Sequence, residues 1–157
     1  MLEKKNAYLN EAHTRYIRPI VFNRYNKPPD LYYRHSCQKG AVALHMLRFI
    51  IGDKPFFRTL NYFLHKYSYD VVDTHDFMKA IKEVTGQNFD WFFEQWFFKP
   101  GHPVFDISYS WNEDIEKLKP IIIQTQDTSK GIPVYKAPVR IAIVTPRRKN
   151  VKESMDS

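Results

Sequence analysis

The sequence predicts an α+β chain in which a mainly helical bundle runs into a truncated antiparallel sheet. Three observations carry this. From about His35 to Phe98, apolar residues recur at helical spacing in segments divided by helix stops. At Pro100-Gly101-His102-Pro103, two prolines and a glycine forbid a continuing helix. Beyond that point the apolar period switches from 3.6 to 2, as in strands.

Residues Glu3 to His13 read as a short helix, and Arg18-Pro19-Ile20-Val21-Phe22 as an extended apolar connector ending at Lys27-Pro28-Pro29-Asp30. Ala41, Leu44, Met46, Leu47, Ile50 and Ile51 then define a largely buried helix, with Gly52 placed as its left-handed cap. Asp53 is a natural N-cap for the next helix, with Pro55 in its first turn and Phe56, Leu60, Phe63, Leu64 and Tyr67 as its inward stripe. Asp73 or Thr74 caps a third, which turns Phe77, Ala80, Ile81 and Val84 inward until Gly86 stops it. Asp90 opens a short aromatic helix, Trp91 to Phe98, whose rings are expected to pack against several neighbours at once. Strands are expected around Val104, Ile107, Tyr109 and Trp111, from Leu118 to Thr125, and from Val139 to Val144. Three or four strands cannot close a sandwich and leave open edges, so the chain is expected to be cut from a longer one.

Composition excludes several classes. With 157 residues, 43% of them hydrophobic and 16% aromatic, the chain can build a core, and disorder is not the default. No apolar run approaches the roughly 18 residues of a membrane span, and the N-terminal MLEKKNAYLNEAH is unlike a secretory signal. A single cysteine rules out an internal disulfide and a multi-cysteine zinc site and fits a reducing, cytoplasmic setting. The net charge of +7 comes from 24 Lys and Arg against 17 Asp and Glu, mostly dispersed. Its one dense cluster, Arg147-Arg148-Lys149 with Lys152, lies in a polar tail at 147–157, so no specific nucleic-acid partner is expected.

The search for chemistry leaves one position of interest. None of the six histidines stands in H-E-x-x-H; His45 reads as a hydrogen-bonded core histidine and His102 as a turn residue. The five glycines form no phosphate loop, and Asp70, Asp73, Asp76 and Glu94 suit helix starts or surface positions. Cys37, in His35-Ser36-Cys37-Gln38-Lys39-Gly40, opens the long apolar helix and is either a reactive thiol or a small packed residue. A reactive thiol needs an activating base, yet His35 and Lys39, each two positions away, face other directions on a helix. A buried, inert thiol is the expectation.

Several runs resemble one family, the zinc aminopeptidases that include membrane alanyl aminopeptidase, puromycin-sensitive aminopeptidase and leukotriene hydrolase, especially its bacterial branch. They are Arg18-Pro19-Ile20-Val21, Asp30-Leu31-Tyr32, Arg34-His35, Gln38-Lys39-Gly40-Ala41 with Leu44, His45, Met46, Leu47 and Arg48, then Gly52-Asp53 with Phe56-Phe57. Thr74, Asp76-Phe77, Gly86, Phe92-Phe93-Glu94-Gln95-Trp96 and Pro100-Gly101-His102-Pro103 follow in family order, so the resemblance covers residues 15–111.

The resemblance implies that residues 1–101 are the C-terminal half of a thermolysin-like catalytic domain. It also implies that 102–146 begin a β-sandwich domain. H-E-x-x-H, its downstream glutamate and the substrate-amine-binding Gly-x-Met-Glu-Asn loop would precede Met1. Zinc is then the cofactor of the longer protein, with none expected on this chain. A peptide substrate and the N-terminal part of the same protein are the implied partners. Asn10-Glu11-Ala12 is similar to the family's Asn-Glu-Gly zinc-ligand segment, but it aligns better with a variable helix ahead of Arg-Pro-Ile-Val, and Glu11 is expected to be solvated. Cys37 occupies the position of the family's tyrosine, whose hydroxyl donates to the oxyanion of the tetrahedral intermediate. A thiol is a weaker donor and shorter than a phenol, so this catalytic position is expected to be non-functional. The implied function is a fragment, itself inactive, of a metallopeptidase that hydrolyses N-terminal peptide bonds. The alternative is a non-catalytic scaffold with the same fold.

Overall fold

The computed structural model describes residues 1–113 and 116–143. Helix α1 (Leu2–Thr14) leads into an irregular connector with one 3-10 turn, Pro28–Leu31. A π-helical turn at His35–Lys39 then runs directly into α2 (Gly40–Ile51), followed by α3 (Asp53–Lys66) and α4 (Thr74–Thr85). A short α5 (Asp90–Phe93) continues into a second π-helical turn, Glu94–Phe98. The hairpin of β1 (Phe105–Asn112) and β2 (Lys117–Gln124) and a 3-10 turn, Thr128–Lys130, follow, giving an α+β chain.

Local signals set most of the helix ends. The Asp73 carboxylate accepts from His75 N and Asp76 N at 2.7 and 3.2 Å, and Asp76 reaches back to Asp73 N at 3.1 Å. This reciprocal cap satisfies amides that α4 cannot pair itself. The junction of α2 with α3 differs from expectation. Gly52 has φ +84° and ψ 160°, which is not a left-handed cap, and Asp53 is already helical. One residue must close α2 and open α3 here, and opening a helix requires an extended ψ. Asp53 instead pairs with Arg48, its two oxygens 2.8 and 2.9 Å from Nε and Nη2.

The core forms around the aromatic turn. Phe92, Phe93, Leu47, Ile81 and Ala43 are buried together with Trp96, Phe97 and Phe89. Full burial of each phenylalanine contributes roughly 2–3 kcal/mol. The segment after the hairpin returns to this core through Ile132 and Tyr135, whose ring lies 4.5 Å from that of Trp96. Gln95 fastens it, donating to Lys136 O at 2.6 Å and accepting from Lys136 N at 2.8 Å. On α3 the buried side is Phe56 and Thr59, whereas Leu64, expected inside, is 67% exposed. Among the described residues α3 packs mainly on α4 and α2, and Leu64 lies beyond the face they cover.

The β part differs more from expectation. β1 pairs antiparallel with β2 from Phe105↔Gln124 to Asn112↔Lys117, and every residue of β1 is exposed. The period-2 pattern predicts the strand correctly, but β1 is exposed on both faces, while Leu118, Ile122 and Gln124 of β2 are half-buried. The strand expected over 139–144 is, as far as 143, an irregular segment with one isolated bridge at Ile141. Val144 and the basic stretch at 147–157 lie outside the described residues. Among the described residues, no helix is long and apolar enough to cross a membrane.

Candidate functional site

Cys37 sits in the middle of the π-helical turn that opens α2. A π turn widens the helix by one residue and changes which side chains face inward, a device frequent at functional sites. Here His35 (0% exposed), Lys39 (4%), Ala43 and Leu47 form a buried stripe at intervals of four. Cys37 falls half a turn away and is exposed, contrary to the expectation of a packed thiol. His45 is exposed for the same reason, because Ala43 and Leu47 occupy the inward positions on either side of it.

Beneath the turn lies a buried polar cluster. His35 Nδ1 is 3.2 Å from Glu11 Oε2, which also accepts from Arg34 N at 3.1 Å. The imidazole is stacked on Tyr16 at 5.1 Å and meets Tyr8 edge-on at 5.2 Å. Its Nε2 is buried and without a partner among the described residues. This geometry places the proton on Nδ1, donating to the carboxylate. A second proton on Nε2 would be buried with no acceptor, so burial holds His35 below the ordinary histidine range against the opposing pull of Glu11.

Glu11 is therefore buried at 6% exposure, not solvated. Every fourth or third residue of α1 turns into the π turn: Tyr8, Glu11 and Ala12 form its buried side.

Two further groups tie this cluster to the Pro-Gly-His-Pro joint. Lys39 Nζ donates to Lys99 O at 3.3 Å and lies 5.8 Å from the Tyr8 ring centre, and burial lowers its pKa to about 7. The Tyr8 hydroxyl is 3.0 Å from His102 Nδ1. Burial, reinforced by His13 and Lys39, holds His102 at about 4, so at neutral pH its Nδ1 is free to accept from Tyr8. His102 is thus a structural partner of α1 rather than only a turn residue. The sequence signal that could have found the cluster is the four-residue spacing of His35 and Lys39, in phase with Ala43 and Leu47.

The arrangement positions groups and does not activate them. Among the described residues, no three of His, Cys, Asp and Glu come together to hold a metal ion. Glu11 Oε2 is occupied by two donors and Oε1 lies 3.9 Å from Arg15 Nη1, so the carboxylate is not presented to a zinc ion. The residues present do not fit a zinc site. His35 faces the interior while Cys37 faces solvent, so the imidazole is not placed as a base for the thiol.

Residues 1–96, more than half of the chain, match the peptidase family M1 domain. The chain belongs to this family of aminopeptidases and metallopeptidases. Aminopeptidase N of Lactococcus lactis subsp. lactis is 33% identical over 66 residues, covering 42% of this chain and 8% of that protein. Aminopeptidase 2, mitochondrial, of Saccharomyces cerevisiae is 26% identical over 110 residues, covering 70% of this chain and 12% of that protein. The crystal structure of Legionella pneumophila aminopeptidase A in complex with aspartic acid matches with a TM-score of 0.73 at 20% identity, over 88% of this chain and 16% of that one. The fold is shared across the joint, and this chain spans a small part of each relative.

Proposed function

We propose that this chain is part of a zinc-dependent aminopeptidase, in which it walls the substrate cleft and docks a following β-sandwich domain. The observation that carries this reading is the family match of residues 1–96 together with a fold likeness that covers 88% of the chain. Residues 1–101 would be the helical end of the catalytic domain, and 102–146 the start of the sandwich. The bare faces of β1 support the second part, because a two-stranded ribbon is marginal alone. The reaction of the whole protein would be hydrolysis of N-terminal peptide bonds by a zinc-activated water. The zinc ligands and the substrate-amine loop would come from the N-terminal part of the same protein. The single cysteine supports a reducing, cytoplasmic setting.

Cys37 would stand where the family places an oxyanion donor. A missing donor of this kind costs on the order of a hundred- to thousand-fold in turnover. The direct test is to purify the 157-residue chain and measure bound metal and aminoacyl-amide hydrolysis. We expect neither; stoichiometric zinc or turnover overturns the proposal.

Cys37 itself favours a second reading, a non-catalytic scaffold of the same fold. Sequencing the DNA ahead of the Met1 codon separates the two. An intact H-E-x-x-H with its downstream glutamate supports the enzyme, and eroded ligands support the scaffold.

A further inference from the structure

The connector between α1 and the first π turn lines a cavity of 450 Å³ that is wide open to solvent, with Tyr16, Arg18, Phe22, Arg24, Asp30 and Tyr33 among its walls. Arg18 is only 9% exposed, and its guanidinium carbon lies 4.7, 4.9 and 5.3 Å from the ring centres of Tyr33, Phe22 and Tyr16. Nη2 donates to Asp30 O at 3.1 Å. Nε is buried with no acceptor among the described residues, and the neighbouring Tyr16 hydroxyl is equally without a partner. The Asp30 carboxylate forms no ion pair with Arg18 among the described residues; its Oδ2 accepts from Asn26 N and Lys27 N at 3.3 and 3.1 Å.

A buried guanidinium is costly unless it is paired, and aromatic faces compensate it only in part. Arg24 adds a second positive charge to the same wall, which leaves the cavity favourable to an anion. The planar fork of arginine matches a carboxylate, while the rings of Phe22 and Tyr33 suit a flat apolar body beside it. From this geometry we propose that the Arg18 cavity binds a monocarboxylate carried on an aromatic or flat apolar body. The proposal stands apart from the peptidase reading and requires no metal.

The test is an NMR titration of the isotope-labelled 157-residue chain with 3-phenylpropanoate, read at the Arg18 Nε–Hε signal. The expected result is a saturable shift of that signal. The neutral 3-phenylpropanamide and the bodiless acetate should each be about tenfold weaker or more, for want of the charge or the rings. Arg18→Gln should lose about tenfold in affinity, and because that variant can unfold, the titration of the unsubstituted chain decides. An Arg18 signal unmoved up to about 30 mM, enough to saturate a millimolar site, overturns the proposal. So does an amide that moves it as well as the acid.

Discussion

His35 donates through Nδ1 to Glu11 Oε2 at 3.2 Å, joining α1 to the π turn across 24 residues of sequence. Both side chains are buried, and the same carboxylate oxygen accepts from the backbone amide of Arg34. One carboxylate therefore sets the orientation of the turn that carries Cys37.

Glu11→Ala should destabilise the chain by about 2–4 kcal/mol, because it strands the buried His35 Nδ1 and the half-buried Arg34 amide at once. Glu11→Gln should lose less, since an amide oxygen still accepts one of them. Urea midpoints measure both. A loss within about 0.5 kcal/mol for Glu11→Ala, the range of ordinary surface changes, contradicts the buried pairing.

Stability should rise with pH above neutrality. Lys39 titrates near 7 in the folded chain against an ordinary value of 10.5, so between these values the unfolded chain binds a proton that the folded chain does not. The gain is up to about 1.4 kcal/mol per pH unit in that window. His102, near 4 when folded against 6.5, acts in the same direction, with stability lost as pH falls from 6.5 towards 4. Above about 10 the trend reverses, because burial raises the Tyr8 and Tyr135 phenols and the unfolded chain is the one that ionises. Lys39→Met should flatten the rise between pH 7 and 10 while retaining the packed stem. Denaturation midpoints at intervals of one pH unit give the slope, and a wild-type midpoint that falls across this window rules the account out.

Gly101→Ala should destabilise the joint by about 2–4 kcal/mol. Its φ of +85° disfavours a side chain, and an added Cβ would sit 2.8 Å from both γ-carbons of Ile132. Ile132 belongs to the core and cannot swing away. Thermal unfolding reads the effect, and an unchanged midpoint means that the joint is looser than described.

The Cys37 thiol should be alkylated by iodoacetamide in the native chain at a rate within about tenfold of the unfolded one, because it is exposed. Cys37→Tyr should alter stability by no more than about 0.5 kcal/mol. A thiol that reacts only after denaturation would restore the packed-residue reading.

Elements whose evidence is local were legible in the sequence. The Asp73 and Asp76 cap, the stop at Gly86 and the break at Pro100-Gly101 depend on residues within one turn of each other. The candidate site was legible only in outline. Cys37 could be placed at the start of α2, but its exposure depended on which side of that turn α1 covers, and α1 buries His35 and Lys39 instead. Glu11 was misread because its partner lies 24 residues away, a separation that no periodicity reveals.

By itself the sequence determined the α+β class, the helix order and the change of period at residue 100, since each follows from short-range propensity and amphipathic spacing. Tertiary structure alone decided which polar groups are buried together. Tyr8, Glu11, His35, Lys39 and His102 come from three separate parts of the chain, and each is acceptable in the interior only because another supplies its hydrogen bond or, for Lys39, because the Lys99 carbonyl does. The same dependence left Leu64 and the faces of β1 in solvent, where an apolar pattern is present but no neighbouring element packs against it.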